Sequence, residues 1–358
     1  MVLFLLLAAG LWGLGWMLKL PLSVRAALIG LLYLGVVLAL LVLPENAPLR
    51  YSLGGSAGQW LVVGALAALG YGYAMVLRRV RARVRPENRP PSAPAAAADP
   101  EGPLTETELD RYARHIVLRE LGGMGQRKLK AARVLVVGAG GLGAPALQYL
   151  AAAGVGTIGV IDDDVVDLSN LQRQVIHGQA TLGMPKVFSA QKALADLNPQ
   201  VTLRPYHRRL TADIAPDLIA GYDLVLDGCD DFATRALVNR TCFAAGVPLI
   251  SGAIAQWEGQ LSLFDPARGG PCYACLFPAP PAPGSALSCV EGGVVGPLPG
   301  VIGAMMALEA IKRICDIGAS LQGVLLIYDG LWGETRRIAL TRTPGCPVCG
   351  AAPASEAP

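Results

Sequence analysis

Three stretches of this chain, Met1 to Leu18, Ala26 to Leu43 and Trp60 to Leu77, carry no charged side chain. Eighteen helical residues reach about 27 Å against a hydrocarbon core of about 30 Å, so the pattern predicts three membrane-spanning helices. A secretory signal peptide would need a positive segment ahead of its apolar run, and none precedes Val2. Buried core helices seldom come as three consecutive uncharged segments with short hinges. From Pro86 to Pro103 the hydrophobic period disappears and proline and alanine dominate, the pattern of an extended linker. At Thr105 the run TETE has the form of a capping box opening a helix. Apolar strand-like runs then alternate with helical ones. Strands are predicted at Arg133 to Val137, Thr157 to Ile161, Thr202 to Tyr206, Leu224 to Leu226, Leu249 to Gly252 and Gln260 to Phe264, with helices at Ala144 to Ala153 and Lys186 to Leu197. This is an α/β sheet, parallel at least in its first half.

Four segments result: a membrane region over 1–85, a linker over 86–103, an α/β domain over 104–350 and a disordered tail over 351–358. Composition agrees, with 53% hydrophobic and 16% charged residues, below the roughly 25% charged fraction of an ordinary soluble domain. The apolar surplus sits at the front. Arg78, Arg79, Arg81, Arg83 and Arg85 follow the third apolar run, and basic loops stay cytoplasmic. The expectation is a multi-pass protein of the inner cell membrane, amino terminus outside, with the α/β domain in the cytoplasm. Anionic headgroups account for the arginine run, and a net charge of +3 adds no support for nucleic acid.

Candidate chemistry begins where the first strand of the domain runs into GAGGLG, Gly138 to Gly143. In a Rossmann-like strand-turn-helix unit Gly138 permits the tight turn, Gly140 lets the backbone approach phosphate and Gly143 lets the helix pack on the sheet. The helix start then offers free N–H groups to an anion. Asp162, ending the next strand, can take the hydroxyls of a ribose. NAD would fit equally well to this point. Arg173 and Lys186 favour ATP, because a triphosphate carries more negative charge than a pyrophosphate. Asp230 or Asp231, after the fourth strand, could hold magnesium together with phosphate oxygens, while one of the pair caps the following helix.

Of eight cysteines, four form two CxxC knuckles, Cys272 with Cys275 and Cys346 with Cys349. That pattern predicts one structural zinc held by four thiolates, tying the C-terminal extension to the sheet; a redox pair would call for a single CxxC at a helix start. Thiolate ligands suit a reducing cytoplasm. Cys229, Cys242 and Cys315 are expected to be buried packing residues. Cys289 lies in a stretch rich in proline and glycine, where a thiol could take up a reactive acyl group. His115 and His177 fall near the proposed site without a spacing that indicates metal or a triad, and His207 belongs to a basic surface run.

RYARHIVLRELGGMGQRKLKAARVLVVGAGGLG, VIDDDVVDLSNLQRQVIH, GMPKV, LISGAIAQWEGQL, PCYAC, SCVEGGVVGPLPGVIG and PGCPVC occur in order between about Leu104 and Gly350. Together they resemble the MoeB/ThiF/HesA family, relatives of ubiquitin-activating enzymes, and MoeB in particular. The resemblance implies a homodimeric adenylyltransferase that uses ATP and magnesium to activate the terminal carboxylate of a ubiquitin-like sulfur carrier ending in Gly-Gly. A carrier for molybdopterin synthesis is favoured over one for thiamin. By the same resemblance Gly141 lies in the ATP loop, Asp162 holds the ribose, Asn170, Arg173 and Lys186 contact phosphates, and Asp230 takes magnesium. Arg114 would reach into the neighbouring subunit's site. Cys272, Cys275, Cys346 and Cys349 would bind zinc, and Cys289 matches a crossover-loop cysteine used covalently in some members. The family commonly has Thr-Asp-Asn where this chain has Cys229-Asp230-Asp231. No rhodanese-like segment follows the second knuckle in this sequence, so sulfur is expected from a separate donor. The competing readings are an NAD-dependent oxidoreductase and a relative that adenylates a carboxylate on RNA or a small molecule.

Overall fold

The structure, a computed structural model, describes residues 2–44, 47–54, 56–84, 102–265, 268–280 and 292–350. Nearly all of the expected linker, Cys289 and the expected tail lie outside them. The chain divides into two compact units, Met1–Ser92 and Ala93–Pro358.

The first unit holds α1 (Val2–Met17), α2 (Leu22–Val42), α3 (Pro48–Leu53) and α4 (Ala57–Val84). Its small core gathers Val36, Val37, Leu40, Leu53 and Trp60. The Trp60 indole N–H donates to the Gly54 carbonyl at 2.9 Å, and the Tyr33 hydroxyl donates to the Trp60 carbonyl at 2.7 Å. The outer faces are as apolar as the inner ones: Leu6, Trp16, Leu34, Leu38 and Leu66 are all exposed.

Three spans are not what the described residues show. One helix, Val24–Val42, is long and apolar enough to cross a membrane, with a mean hydropathy of 2.4 and only 17% of that window buried. The first apolar run is a shorter helix because the chain turns at Lys19, whose φ is +54°, ahead of Pro21. Its 16 residues reach about 24 Å, short of the roughly 30 Å needed. The third run is part of the 28-residue α4, which continues through Arg78, Arg79, Arg81 and Arg83.

In the second unit α5 (Glu106–Arg111), α6 (Ala113–Ile116) and α7 (Gly122–Ala131) precede the sheet. The capping box is present: the Thr105 N–H donates to Glu108 Oε2 at 2.7 Å, and the Glu108 N–H donates back to Thr105 Oγ1. Then follow β1 (Arg133–Val137), α8 (Gly143–Ala153), β2 (Thr157–Ile161), α9 (Lys186–Leu197), β3 (Thr202–Tyr206), α10 (Ala215–Ala220), β4 (Leu224–Asp227), α11 (Phe232–Ala245), β5 (Leu249–Ala255), β6 (Glu258–Phe264), α12 (Tyr273–Leu276), α13 (Pro297–Cys315), β7 (Val324–Asp329) and β8 (Glu334–Ala339). They form one eight-stranded sheet in the order β3-β2-β1-β4-β5-β6-β7-β8. The first five strands in that order are parallel and the remaining pairings antiparallel.

Both faces of the parallel part are covered. Val134 and Val136 pack with α8, α9 and α13, while Leu135 and Val137 pack with α10 and α11. That is why β1 and β2 read as unbroken apolar runs. At the edges the chemistry changes: β3 carries Pro205, which an edge strand tolerates, and the fully exposed β8 carries Glu334, Arg336 and Arg337, charges that discourage edge pairing. The chain winds one way from β1 to β3, then crosses back to place β4 on the other side of β1. The loops after β1 and β4 therefore diverge, and the crevice between them is where this topology binds ligands.

Candidate active site

The glycine loop fills that crevice. Gly138 adopts φ +94°, a conformation side chains resist, and a Cβ there would meet the Gly228 carbonyl at 3.2 Å. A Cβ on Gly143 would collide with the Gly138 carbonyl oxygen, so α8 begins close against the strand end only because both positions are glycine. Gly140 and Gly141 line a cavity of about 850 Å³, within the roughly 300–1,000 Å³ of small-molecule sites.

Asp162, Asn170, Arg173, Lys186 and Asp230 line the same cavity. Asp162 accepts the Ala139 N–H on one oxygen at 2.7 Å and the Asp164 N–H on the other at 2.8 Å. The carboxylate thus braces the glycine loop, and each oxygen keeps a lone pair. Arg173 lies back along its own turn, donating to the Ser169 carbonyl at 3.1 Å and to Asn170 Oδ1 at 3.3 Å. Lys186 is buried and pairs at 2.7 Å with the exposed Asp164. The carboxylates of Asp162, Asp163 and Asp164 come within 4.8 Å of one another.

The two aspartates after β4 divide. Asp231 is the N-cap of α11, accepting from the N–H groups of Ala233 and Thr234 at 3.1 and 3.0 Å and pairing with Arg209 at 3.2 Å. Burial opposes its charge, but the Thr234 hydroxyl and these N–H groups hold Asp231 below the usual carboxylate range. Asp230 is exposed toward the cavity, and among the described residues its carboxylate makes no hydrogen bond or ion pair.

Beneath them Arg235 is buried. It donates to Ser251 Oγ at 3.0 Å and the Gly252 carbonyl at 2.8 Å, as well as to the Cys229 carbonyl, and lies 3.5 Å from the fully buried Asp227. Burial disfavours its charge, yet the Asp227 carboxylate, with smaller contributions from Cys229, Tyr273 and Asp230, raises the Arg235 pKa above its ordinary value. Cys229, expected in the core, instead lines the cavity half-buried, its thiol donating to Asp227 at 2.7 Å. Burial, then the neighbouring Asp227 charge, push that thiol well above the ordinary range.

The cysteine knuckles meet. Cys272 Sγ lies 3.9 Å from Cys275 and 3.5 Å from Cys346, and Cys275 lies 3.3 Å from Cys349. Four sulfurs around one tetrahedral ion at 2.3 Å sit about 3.8 Å apart, so the set has nearly the required size. Burial pushes Cys272 up; against burial, the backbone N–H groups of Cys349 and Val348 draw Cys346 down to about 7. Cys242 and Cys315 are buried as expected.

A model of the ThiF family matches residues 112–348. The chain belongs to the ThiF family. Adenylyltransferase and sulfurtransferase MOCS3 of Mus musculus is 48% identical over 284 residues, covering 78% of this chain but 62% of that protein. Sulfur carrier protein adenylyltransferase of Thermus thermophilus is 50% identical over 253 residues, 70% of this chain and 93% of the relative. The chain thus spans under two thirds of the mouse relative and nearly all of the bacterial one. The crystal structure of E. coli MccB with AMPCPP and selenomethionine MccA aligns at a TM-score of 0.61 and 23% identity, over 69% of this chain and 75% of that one, and shows the same fold.

Among the described residues of this ThiF-family chain expected at the nucleotide site, Arg114 and Gly143 do not line the cavity. Arg114 is exposed on α6, and Cys289 lies outside the described residues. Conversely, Arg208, Arg209, Gln174 and Arg235 line it unannounced. Arg208 and Arg209 sit in a run that reads as surface, and only their place after a strand end could have flagged them. Arg235 lies inside a helix, where no sequence pattern marks a buried cation. His115 pairs with Gln126 at 3.2 Å and is not part of the cavity.

Proposed function

We propose that this ThiF-family protein is an adenylyltransferase that activates the C-terminal carboxylate of a ubiquitin-like sulfur carrier ending in Gly-Gly. One observation carries the reading. A glycine loop at a helix start, Asp162, Asn170, Arg173, Lys186 and Asp230 surround one cavity, in a chain about half identical to a protein named as a sulfur carrier protein adenylyltransferase. The carrier carboxylate is already ionised, so its oxygen attacks the α-phosphate of ATP without a general base. A carboxylate-oxygen to phosphorus bond forms, the bond from that phosphorus to the bridging oxygen breaks, and pyrophosphate leaves. Two anions that repel each other must be aligned, so positioning and charge neutralisation do the catalysis.

The glycine-loop N–H groups, Asn170, Arg173 and Lys186 hold the phosphates, with Lys186 moving from Asp164 to its ligand. Asp162 offers its remaining lone pairs to the ribose. Asp230, left free while Asp231 caps α11, holds magnesium together with phosphate oxygens and water. Arg114, on the surface of its own subunit, supplies a further cation to the cavity of a second copy, which makes the active form a homodimer. The four clustered cysteines hold a structural zinc. The N-terminal unit attaches the protein to a membrane through α2, whose apolar sides find a matching solvent in lipid. Similarity of the motifs to MoeB favours the molybdopterin-pathway carrier.

Incubating the full-length protein in detergent with ATP, magnesium and a Gly-Gly carrier, then weighing the carrier, tests this. The carrier is expected to gain one adenylate, lost again on adding pyrophosphate. An unmodified carrier under every ATP concentration refutes the reading.

A further inference from the structure

The phosphate-binding groups come from two separate pieces of chain: the loop between β1 and α8, and Lys186 at the start of α9. Nothing in the sheet fixes their separation, since α9 leads on to β3, two strands from β1. Besides the apolar packing of α8 on α9, two hydrogen-bonded struts join them. The first runs through Asp162, which accepts the Ala139 N–H, to Asp164, whose carbonyl accepts the Lys186 N–H at 2.9 Å. The second is His177. Its Nε2 lies 2.9 Å from the Ala139 carbonyl and its Nδ1 2.9 Å from Ser189 Oγ, three residues after Lys186 on α9. Ala139, His177 and Ser189 are all buried, so water does not compete for these bonds.

A carbonyl only accepts, so Nε2 carries the ring proton. A neutral ring must then accept at Nδ1, and Ser189 donates there. Thr181, 2.9 Å from Ser189 Oγ, gives its own proton to the Gly178 carbonyl at 3.0 Å. Ser189 has a single proton: given to Thr181 Oγ1 it requires a second ring proton at Nδ1, and given to Nδ1 it leaves the 2.9 Å contact with Thr181 without a proton but the ring uncharged. Burial favours that state and lowers the His177 pKa, Lys186 adds to this, and the Ala139 carbonyl and Asp162 oppose it.

We propose that His177 is a positioning residue that sets the distance between the glycine loop and Lys186, so that loop N–H groups and ammonium meet the same phosphate group. It touches neither nucleotide nor carrier and acts through Ala139 and Ser189. This rests on the cavity being an ATP site.

ATP affinity measured by calorimetry on the full-length protein in detergent tests it, using His177→Phe, His177→Gln, Lys186→Met and the combined variants. Phenylalanine fills the space but leaves the Ala139 carbonyl without its partner and Ser189 bonded to Thr181 alone, and is expected to weaken ATP about tenfold. Glutamine, which places one donor and one acceptor at a similar spacing, recovers most of the loss. In the Lys186→Met background the effect of His177→Phe shrinks below about twofold, because the group it positions is gone. Equal fold losses in both backgrounds, or a glutamine variant as weak as the phenylalanine one, overturn the proposal. Should His177→Phe not fold, Ser189→Ala removes the α9 anchor, and its loss must show the same dependence on Lys186. A wild-type protein that binds no ATP overturns the ATP-site reading itself, whereas a wild type that binds ATP beside an unaffected His177→Phe overturns only the role of His177.

Discussion

Leu38 in α2 and Leu150 in α8 are the same residue in helices of similar apolar content, yet Leu38 is 62% exposed and Leu150 fully buried. The contrast runs through the two units. In the α/β unit the central strands are unbroken apolar runs and the helices packed on them bury Leu147, Leu150, Leu194 and Ile302 completely, while Met124 and Trp332 stay exposed. In the helical unit apolar side chains cover the outside as well as the small core around Trp60. A hydrophobic run therefore says that a segment avoids water without saying whether protein or lipid replaces it. The cavity follows the opposite logic: its walls are charged, and what must be excluded there is a side chain at Gly138 and Gly143.

The largest effect expected is from removing the zinc proposed for the four-cysteine cluster. Zinc in four-thiolate sites contributes apparent free energies on the order of 10 kcal/mol. Chelation should accordingly lower the melting temperature of the α/β unit sharply; differential scanning fluorimetry with and without added zinc reads it. The leucines come next. Leu150→Ala is expected to cost about 2–5 kcal/mol in chemical denaturation, and Leu38→Ala, within the same chain, no more than about 0.5 kcal/mol. Similar costs at the two positions would show that α2 is buried against protein and would erase the comparison.

Much of the α/β unit was legible in the sequence because the central strands β1, β2 and β4 are buried on both faces and so appear as apolar runs, whereas β5 continues past the segment expected for it, to Ala255. β7 and β8 were not legible. β8, Glu334 to Ala339, is exposed along its whole length, so nothing in its composition sets it apart from a loop. Three membrane spans were expected from uncharged runs alone. Run length did not register the turn at Lys19 or the continuity of α4 into its arginines. In the site, the glycines, Asp162, Arg173 and Lys186 were legible because their spacing follows strand ends. His177, Arg208, Arg209 and Arg235 were not, since what places them is tertiary: a hydrogen bond between α9 and a loop, a rim beside Asp231, and a buried pair with Asp227.

The proposed chemistry needs the cations of one cavity to hold a triphosphate for attack by a carrier's carboxylate. ATP–pyrophosphate exchange by the full-length protein, with a Gly-Gly carrier present, tests it most directly when wild type is set beside Arg173→Ala and Lys186→Ala of equal melting temperature. Carrier-dependent exchange is expected in the wild type, with a fall of about a hundredfold or more in each variant. Exchange that persists undiminished in both folded variants would contradict the proposed chemistry.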